Sequence, residues 1–129
     1  MNEIAGLEAD LKVVTAKLGP DHHDTLCSQH HLGYVYMRLG RYTDAVAVIE
    51  PTVDRRERTL GPEHPETLAS RHNLGVAHHY LQHRQTAIAI LEQTLGARER
   101  VLGLDHRDTV TTRTSLENVV KSRPGPHRR

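Results

Sequence analysis

The chain has no Phe and no Trp, and aromatic residues make up only 3% of its 129 residues. Its core must therefore be aliphatic, which favours helix-on-helix packing over an aromatic-rich β-sandwich. The single cysteine, Cys27, excludes an internal disulfide. No apolar run is long enough to cross a bilayer, and the first ten residues are acidic where a signal peptide would be basic. These absences predict a cytoplasmic protein.

An excess of one charge is also missing. Seventeen Lys and Arg residues face sixteen Asp and Glu residues, a formal net charge of +1, which argues against nucleic acid or a membrane surface as partner. The sequence lacks a Gly-x-x-x-x-Gly-Lys-Ser/Thr phosphate loop and any Ser/His/Asp signature. We therefore expect neither an enzyme nor a bound cofactor.

What the sequence does contain is a repeat with a period of 42 residues. The segment LGPDHHDTL at 18–26 returns as LGPEHPETL at 60–68 and as LGLDHRDTV at 102–110. Residues 18–59 and 60–101 are identical at 18 aligned positions. Repeats of this length are typical of stacked supersecondary units.

Apolar residues three and four apart predict two helices in each repeat. The first repeat has helices over about 24–39 and 43–60. In the second, a helix beginning at Pro65 ends at the polar break Gln82-His83-Arg84 and a second helix follows. Residues 1–18 align with the second helix of a repeat, and 108–122 align with the first. The basic end, 122–129, is predicted to be disordered because it holds two prolines and a glycine.

A pattern of residues within the repeat resembles the tetratricopeptide consensus. They are Leu32, Gly33, Tyr36, Gly40, Tyr42 and Ala45, with Leu74, Gly75 and Ala87 in the second copy. The period and the LGPxHxxTL signature are similar to the kinesin-light-chain variety, which bacterial proteins often carry behind a nucleotide-binding signalling domain. The resemblance covers 1–121 and implies an all-α, right-handed superhelical stack of helix-turn-helix repeats. It also implies a scaffold that binds a protein or peptide.

In such stacks, the first helices of the repeats line a concave groove. The family's groove positions fall here on His30, Tyr34, Met37, Arg38, His72, Val76, His79, Tyr80, Thr114, Asn118 and Lys121. Tyr, Met and Arg are frequent at interfaces. The carboxylate-gripping variety needs Lys and Asn at most of these positions, and only Asn118 and Lys121 match. His30 and His72 are expected to become charged between about pH 7 and 5.5 and to make binding pH-sensitive.

Eleven histidines leave a second interpretation open. His22, His64 and His106 recur once per repeat, roughly 10 Å apart, and a shared zinc ion needs ligands at about 2 Å. We therefore assign them a structural role in the turn. His79 and His83, at i,i+4 spacing with His78 adjacent, could bind a metal ion. The alternative functions are thus a histidine-based metal-binding protein, or a repeat fragment with no ligand.

The sequence also leads to structural expectations for three further residues and for the two ends of the chain. Pro51, aligned with Gln93, should kink its helix. Cys27, aligned with Ala69 and Thr111, is interpreted as a small packing or groove residue, with a Cys–His–acid arrangement left open. Glu117 replaces the close-packing glycine of the repeat, as in a terminal helix. The helix over 1–18 lacks its hairpin partner. We therefore expect the C-terminal part of a larger signalling protein, or a homodimer formed through this helix.

Overall fold

The computed structural model describes residues 3–122, whose regular structure is entirely helical. The helices are α1 (Glu3–Leu18), α2 (His23–Arg38), α3 (Tyr42–Leu60), α4 (Pro65–Tyr80), α5 (Arg84–Leu102) and α6 (Arg107–Lys121). Apart from the start of α1, which lies at the edge of the described residues, the helix boundaries predicted from the repeat agree with the structure within two residues. α3 continues through Pro51 without interruption. Of the predicted disordered end, 122–129, all but Ser122 lies outside the described residues.

The repeated signature is a turn between two helices. Gly19, Gly61 and Gly103 end the preceding helices with φ of 93°, 101° and 94°, a region that favours glycine. The histidine three residues later caps the next helix, because its Nδ1 accepts the backbone N–H two residues on at 3.0–3.1 Å. The predicted turn role of His22, His64 and His106 is therefore confirmed, and its form is an N-cap.

Small residues let the two helices of a repeat approach closely. A Cβ on Gly33 would lie 2.5 Å from Ile49 Cγ1, and one on Gly75 would lie 2.8 Å from Leu91 Cγ. Ala45 and Ala87 are completely buried in the same contacts. Any larger side chain at these positions would force the helices apart.

The helices form two layers. Each helix packs against its neighbours in the chain, and α2, α4 and α6 also touch one another in order. Within 3–122, no such contact joins α1, α3 and α5. The inner layer is therefore α2, α4 and α6, and the outer layer is α1, α3 and α5. This arrangement confirms the predicted all-α repeat stack.

The first helix is less well covered than the others. Ile4 is the one described residue of α1 that is fully buried, while Val13 is 56% exposed. Glu3 and Asp10 hold the positions at which α3 has the buried Ala45 and Thr52. The side of α1 that has no hairpin partner here is therefore partly acidic, which the sequence interpretation missed. No helix within the described range combines the length and apolarity of a membrane span.

Candidate functional site

The inner layer exposes two tyrosines that neighbouring side chains hold in place. Tyr34 on α2 is 49% exposed, and the guanidinium of Arg38 lies 5.9 Å from its ring centre. Tyr80 on α4 is 53% exposed and stacks on Tyr42 with ring centres 4.8 Å apart. The ring of His79 lies 5.1 Å from that of Tyr80. Aromatic side chains held this way offer contact area with little ordering cost.

A small cleft continues this surface between α4 and α6. Its volume is about 70 Å³, and its lining is Val76, His79, Tyr80, Ser115, Asn118 and Val119. The structure thus brings four predicted groove residues together. Ser115 was not singled out from the sequence, although it lies three residues before Asn118 and so on the same helical face.

The other predicted groove residues are placed differently. Met37 is half-buried and packs against the core cluster of α1 to α4. Lys121 and Thr114 are exposed on α6. None of these three lines the cleft, so their place in a binding groove stays a prediction.

His30 and His72 lie between the inner helices rather than facing solvent. His30 Nδ1 is 3.1 Å from Ser70 Oγ on α4, and His72 Nδ1 is 3.1 Å from Thr112 Oγ1 on α6. Burial, followed by the charge of Arg56, lowers the pKa of His30 to about 4. Burial, followed by Arg98, lowers the pKa of His72 to about 4. Both rings are therefore neutral near pH 7.

These two pKa values correct the expectation of pH-sensitive binding. A histidine with a pKa of about 4 does not become charged between pH 7 and 5.5. The expectation assumed exposed rings, whereas each ring is covered by the next inner helix. The hydroxyl group that contacts it stands 40 residues further along the chain.

An arginine from the outer layer completes each of these contacts. Arg56 Nη1 donates to the Glu66 carbonyl oxygen at 3.0 Å and to Ser70 Oγ at 3.1 Å. Arg98 Nη1 donates likewise to the Asp108 carbonyl oxygen at 3.0 Å and, at 2.8 Å, to Thr112 Oγ1. We call the set Arg56–Ser70–His30 the first junction and Arg98–Thr112–His72 the second junction. The 42-residue offset between Arg56 and Arg98 was the sequence signal that could have revealed them.

The metal-binding alternative depended on a pair formed by His79 and His83. The prediction that both residues lie one turn apart on the same helix is wrong, because α4 ends at Tyr80 and His83 is the N-cap residue of α5. His83 Nδ1 instead lies 2.9 Å from His78 Nδ1. Burial, followed by His83, lowers the pKa of His78, although Glu50 opposes this. Across 3–122, no group of three or more His, Cys, Asp or Glu side chains is placed to hold a metal ion.

Comparison with known proteins assigns the class that this architecture indicates. The family described as "Tetratricopeptide repeat" matches residues 24–100, so the chain belongs to the tetratricopeptide repeat family. Proteins with these repeats generally mediate protein–protein interactions. No curated protein matches this chain.

Two crystal structures show the same arrangement of helices. One is a Podosopora anserina protein of the kinesin light chain kind with nearly identical TPR-like repeats. It is 29% identical to this chain, with a TM-score of 0.84, and the match covers 90% of this chain and 55% of that one. The other, a variant of the same protein, is 30% identical with a TM-score of 0.78, and the match covers 92% and 56%. The chain thus spans little more than half of these structures.

Proposed function

We propose that this chain is a scaffold whose inner-layer surface binds a peptide or a segment of another protein. The observation that carries the proposal is the pair of exposed tyrosines, Tyr34 and Tyr80, each held by a neighbouring side chain. Large, rigid, half-exposed aromatic side chains are the residues that most often dominate binding energy.

The lining of the cleft indicates the chemistry of the bound segment. Val76 and the Tyr80 ring offer apolar contact, while Asn118 and Ser115 offer hydrogen bonds. Since the half-buried His30 and His72 are neutral, these two residues add no positive charge to this surface near pH 7. The best fit is an apolar side chain flanked by backbone polar groups, as in an extended or helical peptide.

Peptides selected from a random library on the folded chain would test this proposal. Tyr34→Ala and Tyr80→Ala should each weaken the binding of a selected peptide by about 1 kcal/mol or more, roughly fivefold in Kd. Gln93→Ala, an exposed position on the outer α5, is the matched control and should leave the affinity unchanged.

Circular dichroism would confirm that the Tyr80 variant still folds, because this change also unstacks Tyr42. Unchanged calorimetric affinity in both tyrosine variants would contradict the groove assignment. Failure to select any peptide would favour the alternative of a repeat fragment without a ligand.

We also propose a self-association surface and a cellular context for the chain. Exposed Val13 and Leu18 favour a homodimer through α1, whereas Glu3 and Asp10 oppose it. Light scattering at several concentrations would detect the dimer, and a strictly monomeric chain would remove that proposal. A bacterial source, a cytoplasmic location and a place in the C-terminal part of a larger signalling protein are likewise inferred from the sequence alone. Fluorescence imaging of the tagged chain in bacterial cells would test the cytoplasmic location. Sequencing the DNA on either side of its coding region would test the bacterial source and the larger signalling protein.

A further inference from the structure

Cys27 lies in a cluster of chemically complementary side chains that is separate from the inner-layer surface. Its Sγ is 3.4 Å from His23 Nε2, one turn earlier on α2. His23 Nδ1 is in turn 3.6 Å from Glu66 Oε1 on α4. Arg56 Nη2 lies 3.7 Å from the sulfur and 3.9 Å from the same carboxylate oxygen. A thiol, a base, an acid beside that base and a cation therefore meet at one place.

The second repeat shows which part of this cluster the fold requires. Arg98 and Asp108 stand where the first repeat has Arg56 and Glu66, and Arg98 donates to the Asp108 carbonyl oxygen as Arg56 does to that of Glu66. The positions of His23 and Cys27, however, are held by Pro65 and Ala69.

Proline suits the first position of a helix, and small inert residues suit an exposed helical face. The stack therefore forms without a histidine or a thiol at these positions, and the pair in the first repeat is an addition to the shared framework.

The cluster also borders a small cavity. The cavity has a volume of about 110 Å³ and shares His23 and Arg56 with the cluster, together with Asp21, Leu26, Thr59 and Leu60. The Arg56 side chain is only 4% exposed, and its Nε has no hydrogen-bond partner, a feature that Arg98 Nε shares in the second junction. The Glu66 side chain is 40% exposed, but its Oε1 atom is covered and has no hydrogen-bond partner. Buried polar atoms of this kind are stabilised by a small polar molecule that can hydrogen-bond to them.

We propose that Cys27 is a reactive thiol whose substrate is a small peroxide. Cys27 itself is exposed, so a solute can reach the sulfur. His23 Nε2 is the atom placed to accept the thiol proton, and Nδ1 of the same ring lies on the side of Glu66. Arg56 Nη2 is placed to donate to a peroxide oxygen beside the sulfur.

The reaction balances without a further cofactor. The sulfur electron pair attacks the nearer peroxide oxygen, an S–O bond forms and the O–O bond breaks. The leaving hydroxide takes the proton held by His23 and becomes water. Cys27 is oxidised by two electrons to the sulfenic acid, and hydrogen peroxide is reduced to water. Because the chain has no second cysteine, any following disulfide must join Cys27 to a thiol of another molecule.

The test is the rate of sulfenic acid formation when the full chain is treated with hydrogen peroxide. Dimedone traps the product, and intact mass spectrometry quantifies it. His23→Pro copies the residue of the second repeat, so α2 should keep its structure. We expect this variant to react at least about tenfold more slowly, since a positioned base is lost. Melting curves followed by circular dichroism would verify the fold.

The second repeat provides the matched control. In Cys27→Ala/Ala69→Cys, the new thiol lies beside the equivalent Arg98 and Asp108 but without a histidine, and it should be slow. Adding Pro65→His to that variant should raise its rate toward that of the natural chain. Equal rates for the natural chain and the first control, or no effect of His23→Pro, would show that Cys27 is an ordinary surface thiol and overturn the proposal.

Discussion

The first and second junctions are built alike and differ at their edges. In both, a buried arginine of the outer layer donates to a backbone carbonyl and to a hydroxyl group, and the hydroxyl contacts a histidine of the preceding inner helix. An outer-layer carboxylate also pairs with an arginine of the next inner helix: Glu57 with Arg71, and Glu99 with Arg113. Beside the first junction lie His23 and Cys27. The equivalent positions beside the second junction are held by Pro65 and Ala69.

This comparison distinguishes the contacts that the packing of repeats requires from the side chains that are specific to one repeat. A contact that recurs at an offset of 42 residues holds one repeat against the next. A chemically active group that occurs in one repeat and is replaced by an inert residue in the other is not required for packing. The tyrosines follow the same logic, because Tyr34 and Tyr80 occupy different inner-layer positions, aligned with Val76 and Arg38 respectively. The inner-layer surface is therefore irregular along the stack, whereas the junctions are regular.

The largest expected effect on stability comes from removing the buried arginine of either junction. Arg56→Ala and Arg98→Ala should each lower the free energy of unfolding by about 3 kcal/mol or more, because each leaves a buried carbonyl and a hydroxyl without their charged donor. Urea unfolding followed by circular dichroism measures the loss. Arg58→Ala is the control, since this side chain is 63% exposed and its nearest carboxylate oxygen, on Asp21, is 3.9 Å away. It should change stability by no more than about 0.5 kcal/mol.

Equal losses in Arg56→Ala and Arg98→Ala would support the equivalence of the two junctions. A loss below about 1 kcal/mol in either variant would show that its arginine is not a stabilising link between repeats.

The helices and turns could be predicted from the sequence because their causes are local. Gly61 has a positive φ, and His64 caps α4 by accepting the backbone N–H of Glu66, so a nine-residue signature contains the whole turn. The junctions could not be predicted from local sequence, because His30 contacts Ser70 only when α4 packs against α2. The same limitation applies to the candidate site. Tyr34 and Tyr80 were chosen from family positions, but the stacking partner of Tyr80, Tyr42, lies 38 residues earlier in the chain.

A second prediction concerns the pH dependence of the two junctions. The pKa of His30 and of His72 falls from the ordinary 6.5 to about 4 on folding. The unfolded chain therefore binds more protons than the folded chain between these values, so stability is retained above about pH 6.5 and decreases as the pH falls toward 4. Each residue should account for about 3 kcal/mol of this decrease. Urea unfolding at pH 7.5 and at pH 4.5 would measure it.

The double variant His30→Asn/His72→Asn isolates this effect from the titration of carboxylates. Asparagine can still hydrogen-bond the Ser70 and Thr112 hydroxyls but does not titrate in this range. The pKa of His30 is affected by the charges of Arg56, Glu66 and His31, and that of His72 by the charges of Arg98 and Asp108. All of these charged groups remain in the variant. Its loss of stability between pH 7.5 and 4.5 should be clearly smaller than that of the natural chain. An identical loss would mean that the two rings are charged in the folded protein.

The smallest expected effect concerns the two outer helices that carry these arginines. α3 and α5 are both 19 residues long, but α3 contains Pro51 where α5 has Gln93. Proline cannot donate to the carbonyl of Ala47 and crowds it. Pro51→Gln makes α3 more like α5 and should raise the free energy of unfolding by about 1–3 kcal/mol, since an interior proline costs on the order of 3 kcal/mol. Urea unfolding at pH 7.5 measures the change.

Gln93→Ala, which alters an exposed residue of α5 without adding or removing a proline, is the control and should leave stability within about 0.5 kcal/mol. Pro51 is half-buried and lies one position before Thr52, which is completely buried and donates to the Val48 carbonyl at 2.8 Å. If Pro51→Gln lowers stability instead, the backbone geometry that proline favours in α3 helps to place Arg56 in the first junction. The two junctions would then be alike in their contacts but reached by outer helices of different shape.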